Sequence, residues 1–578
     1  TVIGDAIKFI YETTGDKLDI DKIPLDDEAT CSMLRKGDTQ GVFQLESGGM
    51  TKLVMDLGPE SFEDLIPLVA LYRPGPLGTG MVEDFIAGRH GEKTAEMLHP
   101  LLEPVLKDTF GVILYQEQVM QITSVLAGFS LGQADILRRA MGKKKAKELD
   151  SMREAFIDGA QQKHGISPQL SSEIFALLQH FAGYGFNKSH SAAYALVAYQ
   201  TAYLKAHWPA EFMAAFLTSV ISDSEKLSWY ISVCRSMGLK ILPPDVNESG
   251  RSFSVNKDRV IRFGLAGVKN VGENAIGSIL QARKEGPFKS LMDFCKRVDN
   301  RAVNKRMLEN LIKCGAMDSF GYKRSELLAV AEQAMDMGSN YQKDYQSGQM
   351  GLFGDDSFAD VNELRIPELE EIPKRTILQY EKELIGFYVT GNPLDAYVGS
   401  LYYYTPLRKI SDASEVLDGK YFSVAGIISD CRIRNTRQGD STAILTLEDF
   451  NGKMEIVVFP KVYRDAARLL YQENAISVEG KLSIDERERK IQALKIKPLQ
   501  EVPPDLHIKI MKKDENGIVQ KGLKQIFESF SGDTPVYLHL IDSGKMIKVE
   551  RCFWVDGKNA GVYQALDDLL GENWYLKG

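Results

Sequence analysis

Tyr421-Phe-Ser-Val-Ala-Gly-Ile-Ile428 reads with a period of two. Four later stretches repeat it: Ala443-Ile-Leu-Thr-Leu447, Met454-Glu-Ile-Val-Val-Phe459, Ile476-Ser-Val-Glu-Gly480 and Ile491-Gln-Ala-Leu494. Alternation of this kind, rich in β-branched residues, marks half-buried strands. Five such strands, broken once by a helical stretch at Ala466 to Tyr471, predict a small β-barrel.

Beyond Pro503-Pro504, strands at Leu506–Ile510, Val536–Leu540 and Lys548–Phe553 alternate with helices at Gly522–Phe530 and Tyr563–Leu570, which predicts a small α/β unit. On the other side of the barrel the period changes. Residues 1 to about 245 carry apolar side chains at helical spacing, interrupted by short breaks such as Arg73-Pro74-Gly75-Pro76, and predict one large, mostly helical domain. Val260 to Leu328 reads as short helices joined by small glycine turns. Met337 to Asp356 is polar apart from one abrupt apolar cluster, so it is expected to be a linker or a loop carrying a peptide motif.

A chain of 578 residues holds roughly four domains at ~150 residues each. Apolar residues at 44% and charged residues at 26% exclude wholesale disorder and a coiled-coil rod. Lys plus Arg number 70 against 79 Asp plus Glu, a net charge of −9, so any site for a polyanion must be local. Cys31, Cys234, Cys295, Cys314, Cys431 and Cys552 lie far apart without a CxxC pair, which gives structural zinc and a disulfide framework no support. No apolar run approaches the ~18 residues of a membrane span. The expectation is a cytoplasmic protein with no membrane contact. The chain opens at Thr1 directly into the amphipathic pattern Val2 to Tyr11, as expected of one that starts inside a larger protein.

Several motifs carry chemistry. Arg138-Arg139-Ala-Met-Gly-Lys143-Lys144-Lys145-Ala-Lys147 puts six cations in ten residues without an acid, which suits phosphate and equally suits a solvated basic face. Phe181-Ala-Gly-Tyr184-Gly-Phe186-Asn-Lys188-Ser189-His190-Ser-Ala-Ala-Tyr194 looks like a loop running into a helix. Its rings, cations and helix N-terminus suit a nucleotide, though Ser189 or Ser191 also suits an N-cap and the rings a core. Gly267-Val-Lys269-Asn-Val-Gly272 resembles a helix-hairpin-helix turn that presents backbone N–H groups to a DNA phosphate, with a weaker second copy at Leu308 to Leu328. Gln349-Met-Gly-Leu352-Phe353 sets adjacent apolar residues in the polar stretch, the pattern of a peptide that fills a partner's pocket. Asp19-Ile-Asp21 sits in a polar connection rather than on a strand, so it is not expected to hold metal.

Five segments together resemble the bacterial replicative DNA polymerase III alpha (C-family) polymerases: Gly41-Val-Phe-Gln-Leu-Glu-Ser47, Tyr72-Arg-Pro-Gly-Pro-Leu77, Leu114-Tyr-Gln-Glu-Gln-Val-Met120, Leu137-Arg-Arg-Ala-Met-Gly-Lys-Lys-Lys145 and Gly183-Tyr-Gly-Phe-Asn-Lys-Ser-His-Ser-Ala-Ala-Tyr194. The resemblance implies a multi-domain α+β chain: the end of the palm over 1–30, a large mostly helical fingers domain over 31–245, a tandem helix-hairpin-helix over 246–335, a linker with a clamp-binding motif over 336–404, an OB-fold β-barrel over 405–500 and a small α/β domain over 501–578 that binds the clamp loader's tau subunit.

The resemblance also implies roles. Arg138 and Arg139, with Lys143 and Lys188, would meet the incoming deoxynucleoside triphosphate, and Tyr184 and His190 would line its pocket. Gly267, Lys269, Gly272, Arg432 and Arg434 would contact primer-template DNA; Gln349, Leu352 and Phe353 would bind the beta sliding clamp. In the barrel, Arg437, Tyr421 and Phe459 would join the two arginines in a groove for single-stranded template. The intact enzyme would use Mg²⁺ held by aspartates upstream of Thr1. No catalytic or metal-binding residue is therefore expected in this chain, which alone is expected to be inactive. The competing expectation is a non-catalytic module that tethers DNA and clamp.

Overall fold

The computed structural model describes the chain except for residues 74–75, 78–79, 94–96, 143–145, 183–184, 347–363, 412–416, 436–439, 451, 486–487, 502–504, 512–516, 572–573 and 576–578. It divides into two compact units, Thr1–Phe387 and Tyr388–Gly578.

The first unit begins with α1 (Val2–Thr14), α2 (Glu28–Arg35), α3 (Leu65–Leu71), α4 (Gln116–Ala127), α5 (Leu131–Gly142), α6 (Ala146–His164), α7 (Pro168–Ala182), α8 (Lys188–His207), α9 (Pro209–Ser219) and α10 (Ser224–Ser236). Their apolar faces make two cores. In the first, Ala195, Ala198 and Ala202 of α8 lie at helical spacing and are fully buried, and their small side chains let α8 pack closely on Cys31 and Leu34 of α2 and Leu65 and Leu68 of α3. Tyr199 between them is also fully buried, and its hydroxyl donates to Pro24 O at 2.9 Å.

The second core joins Ile122 and Leu126 of α4, Leu137 of α5, Phe156 and Ala160 of α6 and Phe175 and Leu178 of α7. Here α6 crosses the end of α4 at Gly159, where a Cβ would stand 2.3 Å from the carbonyl oxygen of Ala127. Because that obstacle is backbone, Gly159→Ala is expected to lower stability by about 1–3 kcal/mol in urea unfolding. A change within a few tenths of wild type would show that the two helices part freely.

Short strands β1 (Ile241–Leu242), β2 (Ser254–Val255) and β3 (Ile261–Arg262) form a sheet in the order β1-β3-β2. It is followed by α11 (Glu273–Arg283), α12 (Leu291–Arg297), α13 (Lys305–Lys313), α14 (Arg324–Gln346) and α15 (Lys374–Ile385). The apolar stretch before Gly267 is thus not a helix but β3 and a single 3-10 turn, Leu265–Gly267. Phe263 is fully buried, against Phe253 at 4.8 Å between ring centroids and Phe387 at 5.5 Å. A short run of buried side chains has the same composition in either state.

The expected linker from Met337 also differs, because α14 continues to Gln346. Its polar residues dock the helix: Gln342 Nε2 donates to the carbonyls of Lys296 at 3.0 Å and Val298 at 2.6 Å at the end of α12. At Gly338 a Cβ would stand 2.5 Å from Cys295 O, so the crossing needs a bare backbone. Gln349, Leu352 and Phe353 lie outside the described residues.

In the second unit β4 (Tyr421–Asn435), β5 (Ser441–Glu448), β6 (Lys453–Val458), β7 (Ala475–Asp485) and β8 (Glu488–Pro498) close a barrel in the order β4-β5-β6-β8-β7, with β6 and β8 parallel. Val424, Ile428, Leu445, Leu447, Ile456, Val478 and Ile491 fill it. The helical break begins earlier than the sequence suggests, with Pro460 opening α16 (Pro460–Ala466).

Beyond the barrel come β9 (Leu506–Ile510), α17 (Gly517–Ser529), β10 (Ser531–Thr534), β11 (Val536–Leu540), β12 (Lys545–Lys548) and α18 (Ala560–Leu570). β11 pairs parallel with β9 and antiparallel with β12. The third strand ends, rather than begins, at Lys548. Arg551–Phe553 is a 3-10 turn, and Trp554 Nε1 donates back to Val549 O at 3.1 Å.

Candidate nucleotide-binding site

Two segments distant in sequence are zipped together ahead of α4 and α8. Phe186 N donates to Leu114 O at 3.1 Å and Gln116 N to Phe186 O at 2.9 Å, a parallel bridge between Tyr115 and Phe186. Asn187 caps α8, its Oδ1 accepting from His190 N at 2.8 Å. The Glu117 carboxylate accepts from Asn187 Nδ2 and from Lys188 N, each at 3.0 Å. The expectation of a serine cap is therefore corrected to Asn187, while Ser191 is buried with its hydroxyl on Ile66 O. At the N-terminus of α8 an internal carboxylate thus already accepts from Lys188 N and offsets part of the helix's positive end.

From this anchored turn a run of rings follows one wall of a cleft of about 860 Å³. The Arg73 guanidinium lies 4.1 Å from the centre of the Phe186 ring; Phe186 meets His190 at 5.5 Å, His190 meets Tyr194 at 4.4 Å and Tyr194 meets Phe43 at 5.6 Å. Arg73, Phe186, His190, Tyr194 and Phe43 all line the cleft. An aromatic wall next to a cation offers stacking to a base and attraction to an anion. Lys188 projects beside it, its Nζ 5.5 Å from the centre of the Tyr115 ring.

The two arginines of α5 converge on one carboxylate. Arg138 donates through Nε at 3.0 Å and Nη2 at 2.8 Å to Asp135 Oδ1, and Arg139 Nη2 stands 2.8 Å from Asp135 Oδ2. Positions three and four residues along a helix share a face with the first, so one carboxylate reaches both. The Arg138 side chain holds Asp135 below the usual carboxylate range. Arg138 Nη1 also donates to Gln116 Oε1 at 2.8 Å, and Gln116 Nε2 donates to Gly185 O at 3.0 Å, tying the arginine to the segment that leads to Phe186 and His190.

Arg138, Lys188 and His190 thus belong to one connected region, with Arg139 beside Arg138; Lys143 and Tyr184 lie outside the described residues. Reading the sequence did not single out Arg73, Gln116, Glu117, Asp135 or Tyr194 for a role. Arg73, Gln116 and Glu117 sit in the segments Tyr72–Leu77 and Leu114–Met120 that carry the family resemblance, which was their only signal.

The candidate DNA contacts fare unevenly. Gly267 N donates to Gly264 O at 3.0 Å and Lys269 N to Leu384 O at 2.8 Å, so these two amides are spent inside the protein. Gly272 is the N-cap of α11, directly followed by Glu273, which pairs with Arg251 at 2.7 Å. In the barrel, Leu445 is a core residue opposite Cys431, which puts Arg432 and Arg434, opposite Ile444 and Thr442, on the outer face. Both are exposed, and Arg432 pairs with Asp430 at 2.8 Å. Phe459, exposed just beyond the Val458–Ala443 pair, lies at the Arg434 end. Tyr421 stands at the opposite end of β4 and pairs with Lys481 of β7, whereas Arg432 and Arg434 pair with β5. Arg437 lies outside the described residues. Asp19 caps a 3-10 turn, accepting from Asp21 N at 3.2 Å, and pairs with Lys22 at 2.9 Å.

The family model described as bacterial DNA polymerase III alpha subunit finger domain matches residues 1–164, the segment that contains α5 and its arginines. The chain belongs to the DNA polymerase III alpha subunit family. A helix-hairpin-helix model matches residues 238–327, and one described as an OB-fold nucleic acid binding domain matches 422–499, the span of the closed barrel. The chain is 40% identical over 613 residues to the DNA polymerase III subunit alpha of Pseudomonas aeruginosa, covering 99% of this chain and 51% of that protein. It is 41% identical over 554 residues to that of Thermus aquaticus, covering 94% and 44%, and 42% identical over 497 residues to that of Escherichia coli K12, covering 84% and 43%. The chain thus spans about half the length of the curated relatives it matches.

Proposed function

We propose that this chain is the nucleotide- and DNA-gripping part of a DNA-directed DNA polymerase, a nucleotidyltransferase that copies a template in chromosome replication in the cytoplasm. The observation that carries the reading is the convergence of Arg138 and Arg139 at one carboxylate, linked through Gln116 to the aromatic wall of the cleft. Two guanidiniums offer a triphosphate forked, charge-assisted hydrogen bonds, while His190 and Tyr194 offer faces for base or sugar. Lys188 adds a cation at the mouth of α8. Lys143 and Tyr184 are part of the same proposed pocket.

Nucleotidyl transfer by such an enzyme would draw on Mg²⁺, which would supply positive charge for the attacking and leaving oxygens. The described residues do not fit that role: among them no three His, Cys, Asp or Glu side chains are grouped to hold a metal, and Asp19 is occupied as a cap and ion pair. This chain's share of the reaction is to bind and orient.

The proposed partners are deoxynucleoside triphosphates, primer-template DNA, the sliding clamp through Gln349, Leu352 and Phe353, and the clamp loader's tau subunit through residues 501–578. For DNA, the helix-hairpin-helix and OB-fold matches support contact by the α11 N-terminus at Gly272 and by the outer barrel face at Arg432 and Arg434. Among the described residues, no helix is long and apolar enough to cross a membrane.

The test is the double variant Arg138→Ala, Arg139→Ala. Its affinity for dATP, read by competition with a fluorescent triphosphate, is expected to fall at least tenfold, the scale of losing about two charge-assisted contacts. Unchanged affinity would remove the arginines from the site and the reading with them.

A further inference from the structure

The two arginines on which this function rests are not open to solvent in the same way. The Arg138 side chain is 26% exposed and has three of its N–H groups committed, two to Asp135 and one to Gln116. The Arg139 side chain is 67% exposed and meets Asp135 through Nη2. Asp135, 30% exposed, therefore presents both carboxylate oxygens to the donors that a phosphate would use.

Building on the proposed triphosphate site, we propose that Asp135 is an internal stand-in for phosphate. It is a positioning residue that holds the two guanidiniums side by side when the site is empty and must be displaced when a triphosphate binds. A carboxylate and a phosphate oxygen compete for the same fork of N–H donors. Arg139, more exposed, transfers first. Arg138 stays anchored by Gln116 Oε1 and so keeps its direction toward the segment that leads to Phe186 and His190. The ligand class is a polyanion carrying at least two adjacent phosphates: a single phosphate also presents two oxygens to the fork, but a di- or triphosphate brings more charge and a separate acceptor for each guanidinium. Asp135 thereby sets a threshold: a single inorganic phosphate gains too little to displace it.

The direction of the effect separates this role from a scaffolding one. Removing a residue that merely shapes α5 weakens ligand binding. Removing a competing anion strengthens it. Asp135→Asn keeps the side chain's shape and deletes its charge, and is expected to bind tripolyphosphate and dATP roughly three- to tenfold tighter than wild type, the scale of one charge beside a polyanion in a half-exposed site. It should also gain measurable affinity for inorganic phosphate, and the gain should shrink as salt rises.

The experiment titrates the full chain with inorganic phosphate, tripolyphosphate and dATP at two salt concentrations, as wild type, Asp135→Asn and the Arg138→Ala, Arg139→Ala double variant. Tighter binding by Asp135→Asn, lost in the double variant, supports the stand-in, as does binding detectable only in Asp135→Asn. Equal or weaker binding by Asp135→Asn, with a double variant that has lost affinity, overturns the stand-in and leaves the triphosphate site in place. Binding that the double variant retains in full overturns both. Circular dichroism melting of Asp135→Asn within a few degrees of wild type excludes unfolding of α5 as the cause of a weaker result.

Discussion

Arg324→Ala is expected to destabilise the first unit by about 3–5 kcal/mol, the cost of leaving a buried ion-pair partner without its counter-charge. The Arg324 side chain is 4% exposed and that of Glu381 is fully buried. The guanidinium donates through Nε at 3.0 Å and Nη2 at 2.8 Å to Asp318, and through Nη1 at 3.0 Å to Lys313 O and 3.1 Å to Glu381 Oε1. One side chain thus ties the end of α13, the turn after it and α15 to the start of α14. Glu371 adds to the junction, accepting from Arg324 N at 3.0 Å and Ser325 N at 3.1 Å and so capping α14 from a segment 46 residues away. Removing the arginine takes a guanidinium from the Glu381 carboxylate, the Lys313 carbonyl and Asp318 at once.

Urea unfolding followed through this unit's transition measures the loss. Glu381→Gln, which keeps a hydrogen-bond acceptor beside Arg324, should cost clearly less than Arg324→Ala. A loss under about 1 kcal/mol for Arg324→Ala would mean that α15 is held by its apolar face, Leu378, Leu384 and Ile385, rather than by the charge network.

The second large effect is expected at Lys205, whose amine is almost fully buried in α8 and donates to Asp38 O and Gln40 O, both at 2.8 Å. Burial pulls its pKa down to about 8. The two carbonyls belong to the loop that lines the cleft with Gly41, Val42, Phe43 and Gln44. The same loop is held by Thr201, which accepts from Phe43 N at 3.1 Å, and by Glu46, which accepts from Gly41 N at 3.1 Å and from Tyr230 at 2.5 Å. Gln44 takes a positive φ of 64°, a conformation a non-glycine residue holds only when its surroundings impose it.

Lys205→Met keeps the length of the side chain, removes the donor and leaves two carbonyls unpaired, so a loss of about 2 kcal/mol at neutral pH is expected. The pH profile adds a signature. Between about pH 8 and the unfolded value near ~10.4, the unfolded chain binds the proton that the folded chain has released, so wild-type stability rises with pH across that window. A neutral amine still has two hydrogens for the two carbonyls, so the bonds survive the titration. The variant lacks the rise, and stability differences that stay constant from pH 7 to pH 10 would place the amine in a wetter site than its packing implies.

Local patterns carried much of this structure. The alternation of Val424, Leu445, Ile456, Val478 and Ile491 is sufficient for a barrel because a period of two admits one buried face per strand and five short strands close on themselves. The alanine spacing of α8 and the amphipathic opening of α1 are likewise local. Where pattern failed, the failure had a physical cause. Val260 to Leu265 is buried in a way that strand and helix share. Met337 to Gln346 looked like a linker because its docking is done by Gly338 and Gln342, a bare backbone and an amide, which no apolar periodicity records.

For the site, the chain's own residues announced Arg138, Arg139, Lys188 and His190 by charge and composition, and family resemblance gave them roles. Composition could not tell which partners those groups already have. That Glu117 accepts at the start of α8, that Lys269 N is spent on Leu384 O, that Tyr421 and Arg434 pair with different strands and that one carboxylate gathers both arginines are all decided by contacts between residues up to 115 positions apart, or by which side of a helix or strand faces its neighbour. Sequence by itself determined most of the elements, their order and the chemical groups on offer, because backbone propensity and hydrophobic period are local properties. Only the tertiary structure decided which of those groups remain available to a ligand, because a hydrogen bond satisfied inside the fold is withdrawn from every partner outside it.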